Sequence, residues 1–185
     1  MEISDYANLV LNANFSGIAL WCFPTNTRDL LSDVSAGSSR LAEAVEFGFE
    51  DQEPFYFSWK QTGDDLHLGV SRRFVWDRYG LDRLCVTSAD VWPRRDLAKL
   101  VGLRCFTHAS VQSGLVVAVS QIFTWADGSE TNVWVASGVC FNDIGESVFV
   151  GLLPPNAEER LILLSSLSFG GGRGRAQTPF YNEDD

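Results

Sequence analysis

Residues 114–153 leave the chain little conformational freedom. They read GLVVAVSQIFTW, then a turn around Asp127-Gly128, then TNVWVASGVCF, then Asn142-Asp143-Ile144-Gly145, then ESVFVGLL. The runs are rich in valine and aromatic residues and alternate with period two, which is strand behaviour. Asp-Gly tolerates the positive φ that a tight hairpin needs. The pattern predicts three consecutive antiparallel strands at 115–125, 131–142 and 146–153. Apolar side chains fall on both faces, so this meander is either central and covered on both sides or closed into a barrel.

A second hairpin is predicted upstream. FYFSWKQ alternates Phe55, Phe57 and Trp59 against Tyr56, Ser58 and Lys60, the turn is Thr62-Gly63-Asp64-Asp65, and LHLGVSRRF resumes the alternation. RLCVTSA reads as a further strand and LRCFTHA as a strand edge. NLVLNANFSGIALWCFP reads as a strand or hairpin ending at Pro24.

Helical signals lie between these runs. Thr27 can cap a helix carrying Leu30, Leu31 and Val34. Ser38 or Ser39 can cap another carrying Leu41, Ala44 and Val45, with Gly48 as its stop. Pro93 can open a third, with Leu97, Leu100 and Val101 on one stripe and Gly102 at its end. Asn156 and Glu159 have capping-box spacing ahead of Ala157, Leu161, Leu164 and Leu167, although LILL could also be a strand. The expected fold is therefore α+β: one domain over residues 1–169, a mostly antiparallel sheet that is strongly curved or barrel-like, and three or four short helices. The last 16 residues, 170–185, read GGGRGRAQTPFYNEDD and are expected to be a flexible tail. The two halves look loosely alike, each with a helix ahead of a strand meander, but share no residue-level repeat.

Charge narrows the function classes. The chain has 185 residues and a formal net charge of -10, which argues against general nucleic-acid binding. Its apolar runs fall short of the roughly 20 residues that span a bilayer. MEISDYANLV has no basic start or long apolar segment, so a cytoplasmic location is expected. The 4 cysteines, Cys22, Cys85, Cys105 and Cys140, sit in strand-like surroundings and are expected to be buried free thiols.

The charge is unevenly placed. Residues 43–65 carry Glu43, Glu46, Glu50, Asp51, Glu53, Asp64 and Asp65 against Lys60 alone. Residues 72–104 are locally basic, and 105–159 contain no lysine or arginine. Two outcomes follow: the arginines pair internally with the acidic segment, or an acidic face is offered to a basic partner. Helical spacing would align Glu43, Glu46 and Glu50 if the helix ran past Gly48. Trp76 and Trp92 flank an irregular arginine-rich segment, and tryptophan with arginine is the composition of interface anchors.

Signals for chemistry are weak. Cys105-x2-His108 is half of a zinc pattern without its second pair, so no metal and no cofactor are expected. His67 and His108 are the 2 histidines, and no nucleophile signature accompanies them. Asp64 and Asp65 are expected to favour the protonated form of His67. The pairs Asp64-Asp65 and Glu158-Glu159 have ordinary roles in a turn and a helix first turn. The expected function is non-catalytic: a protein-binding protein such as an acidic inhibitor, immunity-type neutraliser or chaperone. Its contacts would be Glu46, Glu50, Asp51, Glu53, Trp76 and Trp92, and its partner a basic protein. These features are also compatible with a homodimer. The alternatives are an enzyme using His67 or His108 as base, or a small-molecule-binding β-barrel.

Overall fold

The computed structural model describes residues 1–24, 40–73, 79–85, 98–137, 147–152 and 161–170. Among these the elements run α1 (Ile3–Val10), β1 (Asn14–Cys22), β2 (Arg40–Ala42), β3 (Ala44–Phe49), β4 (Phe55–Thr62), β5 (Asp65–Ser71) and β6 (Asp82–Cys85). Then come β7 (Ala98–Ser110), β8 (Val116–Trp125), β9 (Glu130–Ser137), β10 (Val148–Gly151) and β11 (Leu161–Gly170). Every pairing among the described residues is antiparallel, in the order β2-β10-β9-β8-β7-β1-β3-β4-β5, with β6 added beside β1 and β11 beside β7.

The meander forms as expected: β8 pairs with β9 and β9 with β10. So does the β4–β5 hairpin, whose turn places Gly63 at φ 62°. The α+β expectation with three or four helices is overturned. Among the described residues the fold is a mostly antiparallel sheet with one short helix. That helix is α1; its last three residues fall in the run 8–24 read as a strand or hairpin, of which 14–22 does form β1. Tyr6, Ala7 and Val10 share its buried face, and Asn12 turns the chain out at φ 68°.

The three helix expectations that reach described residues fail. A strand buried on both faces shows apolar residues at three- and four-residue spacing as well as at two. Ala44, Val45, Glu46 and Phe47 are all buried, and Val45, Phe47 and Phe49 enter the main core from β3. Gly48, read as a helix stop, lies across from Gly17, and a Cβ there would approach Ser16 Oγ at 2.7 Å. Leu100 and Val101 belong to β7 and Leu161, Leu164 and Leu167 to β11. The helix expected at 27–34, the turn at 142–145 and, apart from Gly170 at the end of β11, the tail expected at 170–185 lie outside the described residues.

The topology repeats. β6-β1-β3-β4-β5 and β11-β7-β8-β9-β10 are two five-strand sets of the same order, a four-strand meander whose fifth strand returns beside the first. Both first strands carry a bulge at a matching place, between Phe15 and Gly17 and between Leu100 and Gly102. The two sets meet where β1 crosses β7, at Asn14↔Lys99 and Phe15↔Ala98, extended by Leu100 N–H donating to Ala13 C=O at 3.0 Å. Glu50 N–H donates to Asn14 C=O and Ala126 N–H to Lys99 C=O, each at 3.0 Å, so the crossing is bonded alike on both sides. The row Leu20-Val45-Phe57 in one set corresponds to Cys105-Gln121-Val133 in the other. One core joins them, with Phe15 and Phe47 each within ring contact of Phe123.

Candidate functional site

The sequence LILLSSLSFG of β11 has no charged residue. Antiparallel pairing to β7 runs from Leu161↔Ser110 to Gly170↔Gly102, reinforced by a 2.6 Å hydrogen bond between the Thr107 and Ser165 hydroxyls. Leu161 packs on the small cluster of Val117, Ala118, Ala136 and Phe149, and Phe169 packs on the main core. Gly170 closes the strand at φ 69°, where a side chain would meet the Val101 carbonyl.

The opposite edge of β11 has no strand partner among the described residues. Ile162 and Leu163 are each 43% exposed and Leu164 51%, with Val111 at 52% on the turn that follows β7. A register shift between Leu163 and Ser165 leaves Leu164 without a partner on β7, so the bulge presents an apolar side chain. The equivalent strand of the other five-strand set is built differently. β6 has 4 residues and carries Asp82 and Arg83. Short length and charge are the usual protections of a sheet edge. β6 has both, and β11, with 10 residues, has neither.

The residues expected to contact a partner separate on folding. Glu46 is 4% exposed, inside β3. Its carboxylate accepts Trp21 Nε1–H at 2.8 Å and a fork from Arg83, with Nη2 at 2.6 Å and Nε at 3.1 and 3.2 Å. The hydrogen bonds to Glu46 push the guanidinium pKa up still further. Glu46 therefore serves the fold through an internal arginine pair. Glu43, Glu46 and Glu50 cannot share a helical face, because no helix forms there.

Glu50, Asp51 and Glu53 are exposed on the β3–β4 turn and make no ion pair with any described residue. Gln52 between them donates to Leu9 C=O at 3.3 Å and accepts from Arg72 at 3.1 Å, while the Arg72 guanidinium lies 4.9 Å from the Phe55 ring centroid. Trp76 and Trp92 lie outside the described residues.

His67 lies opposite Lys60, and burial of its ring, then the Lys60 charge, lowers its pKa. The expectation that Asp64 and Asp65 would favour its protonated form is thus reversed. His108 stacks on Trp134 at 4.9 Å between centroids, and burial lowers its pKa too. Among the described residues no hydrogen bond joins either histidine to a nucleophile. Cys105 and His108 are three apart on a strand and so face opposite sides. Burial pushes the Cys105 thiol up to about 12. Cys22 is buried as expected, but Cys85 is exposed, 3.1 Å from Arg83 Nη1. No three potential metal ligands come together among the described residues. No described helix is long and apolar enough to cross a membrane.

The β11 edge escaped the sequence reading because Leu161, Leu164 and Leu167 have helical spacing. The available signal was a ten-residue stretch without charge in a chain that is 21% charged. The chain matches no protein-family model, no curated protein and no solved structure.

Proposed function

We propose that this chain is a non-catalytic protein-binding protein that takes an extended segment of its partner along β11. Inhibition, neutralisation and chaperoning each require no more than such capture. The observation that carries the reading is the long, uncharged and apolar edge of β11, which has no strand partner among the described residues. Unpaired N–H and C=O groups give a strand-adding partner its affinity, and the alternate side chains give it specificity. The carboxylates of Glu50, Asp51 and Glu53 add long-range attraction for a basic partner, within a chain whose net charge is already -10.

The test is affinity capture from cells that make the protein, comparing the wild type with Leu164→Lys and with Tyr79→Lys as an exposed control away from β11. The wild type and the control should retain a common partner that Leu164→Lys loses, with circular dichroism unchanged. Retention of the same partner by Leu164→Lys would refute docking on β11. Reversing Glu50, Asp51 and Glu53 together should slow association with the captured partner and flatten its salt dependence, because exposed charges are screened over about 10 Å at 0.1 M salt.

A further inference from the structure

We infer that α1 is a displaceable plug over a second binding site, inside the main core. The site takes an uncharged aromatic molecule whose polar end both donates and accepts hydrogen bonds, as a carboxamide does. The inference is independent of β11.

The deep end of the site is an amide. Gln121 is fully buried and faces the main core, to which its ladder neighbours Cys105 and Val133 belong. Neither Oε1 nor Nε2 has a hydrogen-bond partner among the described residues. The other five-strand set places Val45 at the equivalent position, so the architecture does not require an amide there. Buried polar groups are nearly always paired, and an unpaired one calls for a partner from outside.

Tyr6 fills the site in the free protein. Its ring meets Phe55 and Phe57 edge to face, at 5.1 and 5.3 Å between centroids. Its hydroxyl is buried and also has no hydrogen-bond partner among the described residues. Burial, and then the nearby Cys105, raise its pKa. Cys105 stands directly across from Gln121, a placement that sets the two Cβ atoms about 5 Å apart. Aromatic rings therefore line one part of the site and the Gln121 amide another, with Cys105 between. A ring in place of Tyr6, carrying a longer polar end, reaches the amide that the phenol leaves unpaired. A carboxamide satisfies it twice: its N–H donates to Oε1, and its C=O accepts from Nε2–H. A carboxylate is disfavoured, because the buried cluster contains no charged side chain, and Arg72, which lies over Phe55, is exposed.

The plug is lightly held. α1 has 8 residues, fewer than the roughly 12–15 at which a helix holds in isolation. No side chain caps its N-terminus, and no basic residue lies in its last turn. Gln52 reaches its Leu9 carbonyl only by an exposed 3.3 Å bond. The chain is fixed after the helix, where Asn12 turns at φ 68° and its N–H donates to Leu100 C=O at 2.8 Å. α1 can therefore swing out about Asn12 while β1 stays paired.

Calorimetric titration of the full chain with 4-phenylbutanamide, beside 4-phenylbutanoate at pH 7.5, tests the site. The amide should bind saturably with a Kd on the order of 0.1–1 mM, and the carboxylate at least tenfold more weakly. Bound amide should speed hydrogen exchange of the α1 backbone, because the helix is displaced. Tyr6→Phe removes the unpaired hydroxyl and seats the plug, so it should weaken the probe severalfold. Gln121→Leu should weaken it at least tenfold while raising the unfolding midpoint, a combination that misfolding cannot produce. If Gln121→Leu fails to fold, Tyr6→Phe and the α1 exchange carry the test. Binding that survives Gln121→Leu, is unchanged by Tyr6→Phe or leaves α1 exchange unaltered would place the probe elsewhere and overturn the inference. So would a wild type that binds nothing up to about 5 mM, even if Tyr6→Ala binds, since that cavity would be made by the substitution.

Discussion

Replacing Gln121 by leucine should stabilise this protein. Gln121 is fully buried at the centre of β8, between Cys105 on β7 and Val133 on β9. Neither its Oε1 nor its Nε2 has a hydrogen-bond partner among the described residues. The matching position of the other five-strand set is Val45, which shows that the architecture asks for an apolar side chain there. A buried amide without partners costs roughly 1–3 kcal/mol on the scale of protein mutations. Leucine removes that cost and adds apolar burial, against up to about 1.5 kcal/mol for imperfect shape. The net expectation is a gain of about 1–2 kcal/mol. In a chain of this size that is a rise in Tm of roughly 2–8 °C. Urea unfolding with an unchanged slope and a higher midpoint, together with calorimetry, would confirm it. A loss of more than about 1 kcal/mol would refute the reasoning. It would mean that the amide is bonded, through a buried water or a polar guest, and that the core is built around that group.

Three further outcomes follow from the same structure. Glu46→Ala, which strands the Arg83 fork and the Trp21 indole N–H, should lower stability by about 1–3 kcal/mol, whereas Glu50→Ala and Glu53→Ala should stay within about 0.5 kcal/mol in urea titrations. Gly17→Ala should cost about 1–3 kcal/mol through backbone strain alone, since Gly17 sits at φ 140° with nothing near a new Cβ; an unchanged midpoint would mean that the bulge relaxes freely. Both described histidines have lowered pKa values, so the unfolded chain takes up protons near pH 6.5 while the folded chain still resists them. Stability is then full above about pH 7 and declines as pH falls through 6.5, and His108→Phe should flatten that decline in denaturation curves measured from pH 7.5 to 5.5.

The meander and the β4–β5 hairpin were legible because their signals are local. Alternation persists through residues 116–125, 130–137 and 55–62, and Asp127-Gly128 and Gly63-Asp64 punctuate it. The strands around residues 44–49 and 161–170 were not legible. Burial on both faces in β3, and a bulge at Leu164 in β11, each break the two-residue period and leave helical spacing behind. The short helix α1 was hidden for the opposite reason. NLVLNA is as apolar as a strand, and only packing of Tyr6 against Phe55 and Phe57 decides its face. Within the site, the turn carboxylates were recognisable because EDQEP is loop composition. That Glu46 lies inward and Glu50 outward depends on where Arg83 and Trp21 arrive in space. The open edge is a tertiary property: among the described residues no strand pairs with β11 on the side away from β7, and no window of sequence records that.

Amide hydrogen exchange along β11, read beside β8 in dilute protein, tests the open edge most directly. An open edge predicts that the β11 amides facing away from β7 exchange orders of magnitude faster than those in the middle of β8. If every amide from 161 to 170 is as protected as β8 in dilute protein, the edge is already covered, and β11 is not where this protein takes its partner.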